Sequence, residues 1–211
     1  MISVVVSDIH AKASTASSVC KLADRYNADN ILILGDVSNF GPVSVAVDYI
    51  SSLNRPVYAI PGNCDPLVFP DAVSKVATDM HGKAAVIDGI RVAGLGGSNP
   101  TIFDTPFELT EDEIFDTLDG ICDNVSVLMV HAPPLGHLDT IPNGMHVGSS
   151  SIKAIADKYR PLVVLSGHIH EARGIESHNG TLFVNPGAAK DGYAALLTID
   201  NDNVNAELLT L

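Results

Sequence analysis

The stretch of sequence that decides the fold is residues 1–10, MISVVVSDIH. Its mostly β-branched run from Ile2 to Val6 is typical of a central strand that is covered on both faces. Asp8 and His10 follow this run at alternate positions, so an extended backbone would point both side chains the same way. A carboxylate and an imidazole directed at one point can bind a transition metal. Residues 1–10 therefore predict a buried strand that ends at a metal site.

The same pattern, an apolar strand followed by polar side chains, returns after residues 31–34, 56–60, 125–130 and 162–165. Ligands in open α/β sheets bind beyond the carboxyl ends of the strands, and right-handed crossovers place such strands side by side. The polar side chains after the five runs are therefore expected to be neighbours in space. They are Asp8, His10, Asp36, Asn63, Asp65, His131, His168 and His170.

The rest of the chain alternates helical and strand patterns. Apolar spacing predicts helices over residues 14–26, 43–53, 110–118 and 148–159, and suggests a shorter one over 71–80. Turn pairs predict two hairpins, around Asp88-Gly89 and Asn179-Gly180, and two more strands over 193–199 and 204–209. His81 and His178 fall in turns and are expected to be solvated. The glycine-rich residues 94–99 lack the dinucleotide-binding spacing, so no nucleotide cofactor is expected.

Length and composition favour one α/β domain over residues 1–211. No Pro- or Ser-rich linker divides the chain, no apolar run approaches about 18 residues, and no basic segment precedes an apolar stretch. A membrane span and a secretion signal are therefore not expected. The chain has three cysteines, Cys20, Cys64 and Cys122, and their spacing shows no pairs. An odd number without paired spacing favours free thiols in the reducing cytoplasm.

The charge balance restricts the partners. The formal net charge is −13, from 25 acidic and 12 basic residues. Long nucleic acid needs a basic surface, so it is not an expected partner. A dianionic substrate would also be repelled unless bound cations reversed the local field.

The predicted donor set is larger than one tetrahedral zinc ion needs. It suggests two ions, bridged by a carboxylate such as Asp36. Two metals about 3.5 to 4 Å apart generate a hydroxide and hold both oxygens of an in-line phosphoryl displacement. Mixed oxygen and nitrogen donors favour manganese or iron, with zinc or nickel also compatible.

Taken together and in this order, the motifs resemble the calcineurin-like metallophosphoesterases. The resemblance rests on Asp8-Ile9-His10, Gly35-Asp36, Gly62-Asn63-Cys64-Asp65, His131 and Gly167-His168-Ile169-His170. It implies an α/β (α+β) fold, a four-layer αββα sandwich in which two mixed sheets pack face to face between helices. Residues 131–134, 146–149 and 185–187 look like a small bacterial and archaeal branch of the family.

The resemblance also implies roles for individual residues. Asp65 would orient the ligands rather than bind metal. The first ion would be held by Asp8, His10, Asp36 and His170, and the second by Asp36, Asn63, His131 and His168.

Two further residues are candidates for catalysis beside Asp36, Asn63 and Asp65. Cys64 stands where many members of the family carry a histidine that contacts the substrate, which leaves the acid catalyst open. His146 is predicted at the substrate rim, because it precedes a helix whose start at Gly148-Ser149 could meet an anion.

The expected function is hydrolysis of a phosphodiester or phosphomonoester bond in a small molecule by a hydroxide that two metals activate. Assembly into a homo-oligomer is compatible with the sequence. One alternative is a catalytically weak scaffold for protein interaction, like the retromer subunit of similar fold; loss of ligands would signal it. Another is a nuclease for DNA ends, which would need a basic surface or an added domain.

Overall fold

The computed structural model describes residues 1–201 and 203–211, and the elements below are those of these residues. In chain order they are β1 (Ile2–Val6), α1 (Thr15–Arg25), β2 (Asn30–Ile33), α2 (Val43–Ser51), β3 (Val57–Ala59), α3 (Phe69–Val73), β4 (Thr78–Asp79), β5 (Lys83–Ile87), β6 (Ile90–Leu95), α4 (Glu111–Ile121), β7 (Val127–Val130), α5 (Ser150–Tyr159), β8 (Val163–Leu165), β9 (Gly174–His178), β10 (Thr181–Asn185), β11 (Tyr193–Asp200) and β12 (Asn203–Thr210). Short 3₁₀ turns lie at His170–Ala172 and Ala189–Asp191.

The strands form two mixed sheets of six strands each, in the orders β12-β11-β1-β2-β3-β4 and β5-β6-β7-β8-β10-β9. In the first sheet β1 pairs in parallel with β2 and antiparallel with β11, so it lies in the interior of the sheet. In the second sheet β6, β7 and β8 are parallel neighbours. The predicted central strand and both predicted hairpins are confirmed.

The two sheets pack face to face between helices, which confirms the predicted four-layer sandwich. Val5 of β1 lies in the core between the sheets, with Leu32 of β2 and Met129 of β7. Val4 and Val6 point the other way, into the core under α1, α2 and α3. A third core joins the second sheet to α4 and α5. Burial of each valine contributes roughly 1.5–3 kcal/mol, so β1 is stabilised on both faces.

Residues 69–81 differ from the sequence-based expectation. The helix here is α3, which ends at Val73 and therefore overlaps only residues 71–73 of the predicted range 71–80. Residues 78–79 instead pair with β3 at the edge of the first sheet, which buries Met80. Sheet pairing and burial thus outweigh the local helical pattern.

One of the two histidines expected to be solvated is not. His81 is half-buried, its Nδ1 accepts a hydrogen bond from the Gly96 N–H (3.1 Å), and its ring packs edge-on against Phe107. Burial lowers the pKa of His81. His178 is exposed, as predicted.

Within the described residues, the longest helices have 11 residues, and none has the length and hydropathy to cross a bilayer.

Glu111 joins the N-termini of two helices. It occupies the first turn of α4, and its carboxylate accepts hydrogen bonds from the Ser149 hydroxyl (2.7 Å) and from the N–H groups of Ser150 (3.2 Å) and Ser151 (2.8 Å) at the start of α5. Burial raises the pKa of Glu111, but these hydrogen bonds outweigh it and lower the pKa. The N-terminus of α5 therefore already has an anionic partner. The expectation that it could meet a substrate anion is wrong.

We expect Glu111→Ala to lower the free energy of unfolding by about 1–2 kcal/mol, the lower part of the range for hydrogen bonds to a charged acceptor because the carboxylate is half-exposed. Urea denaturation measures it, with Asp112→Ala, an exposed residue of the same turn, as the matched control. Since the folded-state pKa is lowered, the contribution is complete above the ordinary value of 4.5 and is lost as pH falls through the folded-state pKa. Equal stabilities of the two variants at neutral pH would contradict it.

Candidate metal centre

The loops that follow β1, β2 and β3 of one sheet meet the loops that follow β7 and β8 of the other. Backbone hydrogen bonds link the loops within each sheet, from Asp8 N–H to the Gly35 carbonyl (3.0 Å) and from Gly167 N–H to the His131 carbonyl (2.9 Å). The His168 N–H donates across the sheets to Asp8 Oδ2 (3.1 Å). The five predicted loops thus form one edge of the sandwich.

The backbone at this edge is left-handed rather than extended. Asp8 has φ of 57°, His10 of 45°, Asp36 of 51° and His168 of 64°. The reasoning that alternation in an extended strand would align Asp8 with His10 is therefore wrong, because pairing with β2 ends at Val6 and the chain turns at once. Non-glycine residues in this conformation cost of order 1–3 kcal/mol each and are concentrated at functional sites.

Asp8, His10 and His170 form the first cluster, in which one ligand atom of each lies within 4.8 Å of the others. The Nε2 atoms of His10 and His170 are 3.4 Å apart. Asp8 Oδ1 is buried and receives no well-formed hydrogen bond from the described residues, although His170 Nε2 lies 3.2 Å away. A buried carboxylate oxygen without a donor, facing two imidazoles, fits a bound cation.

The second cluster brings a ring nitrogen of His131 against the side-chain oxygen of Asn63. His131 Nδ1 lies 2.7 Å from the Leu34 carbonyl, which can only accept, so Nδ1 carries a proton and Nε2 is the ring nitrogen left to bind a metal ion. That Nε2 lies 2.9 Å from Asn63 Oδ1, and the ring of His168 packs 5.0 Å away. A cation between these two atoms would be bound by the Nε2 lone pair and by the amide oxygen.

Asp36 lies between the two clusters. Its Oδ2 is 3.7 Å from His10 Nε2, and its Oδ1 is 3.6 Å from His131 Nε2. Burial raises the pKa of Asp36 to about 6. Burial lowers the pKa of His10 to about 4 and that of His168 to about 3, so both rings are neutral at pH 7 and have lone pairs to share.

Asp65 is directed at the backbone. It is fully buried and accepts hydrogen bonds from the N–H groups of Gly62 (2.9 Å), Val37 (3.2 Å) and Ser38 (2.8 Å) and from the Ser38 hydroxyl (2.8 Å). These contacts fasten the loop after β2 to the loop after β3. The packing is close enough that a Cβ on Gly62 would lie 2.0 Å from Asp36 Oδ1.

Cys64 lies beside the first cluster. Its half-buried sulfur is within 4.8 Å of ligand atoms of His10 and Asp36. Burial and the neighbouring carboxylate of Asp36 raise the pKa of the Cys64 thiol.

His146 belongs to none of the three groups of metal-type side chains found in residues 1–201 and 203–211. Its half-exposed ring pairs through Nδ1 with Asp139 Oδ1 (2.6 Å). Asp139 is fully buried and also accepts from the N–H groups of Gly136 (2.9 Å) and Gly148 (3.0 Å). Sequence reasoning missed Asp139, since a lone Asp in a loop carries no local signal of its partner.

The sequence of the chain is similar to those of known proteins. The profile of the calcineurin-like phosphoesterase superfamily domain matches residues 1–202. The protein MJ1162 of Methanocaldococcus jannaschii is 33% identical over 190 residues, which is 86% of this chain and 85% of that protein. A Synechococcus protein named "Probable cyclic nucleotide phosphodiesterase" is 29% identical over 167 residues, 74% of this chain and 64% of that protein.

The fold recurs among solved structures. TT1561 of Thermus thermophilus superposes with a TM-score of 0.76 at 17% identity, over 98% of this chain and 97% of that one. The profile match over almost the whole length and the Methanocaldococcus relative agree with the donor clusters and with the two-sheet sandwich. The chain therefore belongs to the calcineurin-like phosphoesterase family.

Proposed function

We propose that this protein is a dinuclear metal-dependent phosphoesterase that hydrolyses a small phosphoester. The observation that carries the proposal is the position of Asp36, one buried carboxylate that faces both donor clusters. Two divalent ions bound there would supply a nucleophile from water at neutral pH and neutralise the charge on the phosphate. Manganese or iron are the ions we expect.

Some residues of the chain would hold the two ions, and others orient those ligands. The first ion would be held by Asp8, His10, Asp36 and His170, and the second by Asp36, Asn63, His131 and His168. The Leu34 carbonyl holds His131 in the tautomer with a free Nε2, and Asp65 fixes the two loops that carry Asp36 and Asn63. With a net charge of −13, the protein needs such cations to attract an anionic substrate.

A phosphodiester is the substrate class we favour, because the Synechococcus relative is named as a phosphodiesterase. The scaffold alternative has less support, since it predicts lost ligands and each expected ligand position is filled. We further propose that the protein works in the cytoplasm, where its three cysteines would stay reduced, without a membrane or long nucleic acid as partner.

We expect Asp36→Asn to lower kcat/KM at least 100-fold and to reduce the bound metal from two ions to one or none, because an amide is a poor bridge between cations. Elemental analysis and hydrolysis of bis(p-nitrophenyl) phosphate measure the two effects. Asp48→Asn, at an exposed position of α2, is the matched control. A single reproducible zinc ion in the parent, or normal turnover by a metal-loaded Asp36→Asn enzyme, would exclude a bridged pair.

We expect His146→Ala to raise KM about tenfold with metal content at the parent level. The ring is half-exposed and oriented by Asp139, as expected of a rim residue that binds substrate. Steady-state kinetics and elemental analysis test it, with exposed His178→Ala as the control. Loss of an ion in His146→Ala would make His146 a ligand, and an unchanged KM would remove it from the substrate rim.

We expect kcat/KM of the parent enzyme to depend steeply on the pKa of the leaving group, and Cys64→His to flatten that dependence. A thiol is a weak hydrogen-bond donor, whereas a positioned imidazole that donates a proton contributes typically about 10²- to 10⁴-fold. The measurement is kcat/KM over a series of aryl and alkyl esters, with Cys20→Ser of α1 as the control. Equal slopes for the parent and Cys64→His would mean that Cys64 is not placed beside the leaving oxygen.

A further inference from the structure

The loop between β6 and α4 is fastened by one carboxylate. Glu108 accepts hydrogen bonds from the N–H (3.1 Å) and the hydroxyl (2.6 Å) of Thr101 and from the N–H (2.9 Å) and the hydroxyl (2.6 Å) of Thr105. Burial raises the pKa of Glu108, but these four hydrogen bonds outweigh it and lower the pKa to about 2. No part of the catalytic scheme above uses this loop.

Two contacts tie the loop to Asn63, a proposed ligand of the second ion. The Phe107 N–H donates to the Asn63 main-chain carbonyl (3.1 Å). The side-chain Nδ2 of Asn63 lies 3.1 Å from Thr105 Oγ1 and 3.7 Å from Cys64 Sγ. Both Asn63 and Thr105 are buried, so water does not compete for these groups.

The direction of the protons in this chain of contacts is determined. A carboxylate can only accept, so the single hydroxyl proton of Thr105 goes to Glu108. Toward Asn63 the Thr105 oxygen can then only accept, and the amide must present its NH₂ group to it. The Asn63 carbonyl oxygen consequently points the other way, to within 2.9 Å of His131 Nε2.

We propose that Thr105 and Glu108 are positioning residues that hold the Asn63 amide with its oxygen toward the metal centre. The proposal rests on the proposed function in one respect, that Asn63 is a metal ligand. A reversed amide would present NH₂ to the cation and set two oxygen acceptors against each other at Thr105. Loss of such supporting contacts typically weakens metal binding about 10- to 100-fold.

The first test is binding of Mn²⁺ to metal-free protein, followed by calorimetry and by the spin-coupled electron paramagnetic resonance signal of a manganese pair. Thr105→Val keeps the shape of the side chain and removes the acceptor. We expect it to weaken binding of the second ion at least tenfold and to leave the affinity for the first ion within about threefold of the parent value. Thr105→Ser should restore parent binding. Thr101→Val is the matched control, because Thr101 donates to the same carboxylate without touching Asn63.

A second measurement reads the amide orientation directly and needs no variant. In protein with labelled asparagine, loaded with diamagnetic Zn²⁺, nuclear Overhauser contacts should join the Asn63 amide protons to the Thr105 methyl group. Parent-like binding of the second ion by Thr105→Val, or contacts from those amide protons to the His131 ring instead, would overturn the proposal. If the contacts to Thr105 are present but no phosphoester is hydrolysed, the positioning role stands and the proposed function fails.

Discussion

The constraint on which the rest of the structure depends is the crowding of imidazole nitrogens and side-chain oxygens at the line where the two sheets meet. His131 Nε2 faces Asn63 Oδ1, the Nε2 atoms of His10 and His170 face each other, and Asp8 Oδ1 is buried without a good donor among the described residues. A cation between such groups would be bound by several of them at once. The loops that carry Asp36 and Asn63 are held in place by the protein itself, chiefly by the four hydrogen bonds accepted by Asp65 and by the close packing of Gly62. Ions that bind only the folded protein would add to its stability by mass action.

The features that sequence reasoning predicted well are those with a local cause. Continuous apolar runs such as Ile2 to Val6 are the mark of strands buried on both faces, and Asn-Gly or Asp-Gly pairs are the mark of hairpins, so the strands and both hairpins could be derived. The four-layer sandwich was expected only from the resemblance to the family. The same rule placed the ligand candidates at one edge, because each directly follows a strand.

The features that were missed depend on partners distant in the sequence. The partner of the α5 N-terminus, Glu111, lies 38 to 40 residues before it. His81 is half-buried by contacts with Gly96 and Phe107, and Thr105 reaches Asn63 across 42 positions. None of these pairs has a spacing that periodicity or turn chemistry would reveal. The sequence predicts the fold more completely than it predicts the contacts that orient the side chains, because those contacts depend on tertiary structure.

The left-handed backbone at Asp8, His10, Asp36 and His168 also limits how this protein can change over evolutionary time. Aspartate, asparagine and histidine tolerate that conformation, glycine adopts it without steric cost, and β-branched residues are strongly disfavoured there. A drift from Asp36 to valine would therefore remove a carboxylate and strain the loop in one step, whereas a drift to asparagine or glycine would keep the loop. Descendants that lose the activity but keep the sandwich are expected to carry Asn or Gly at these positions. The left-handed backbone would then still mark where the metal centre had been.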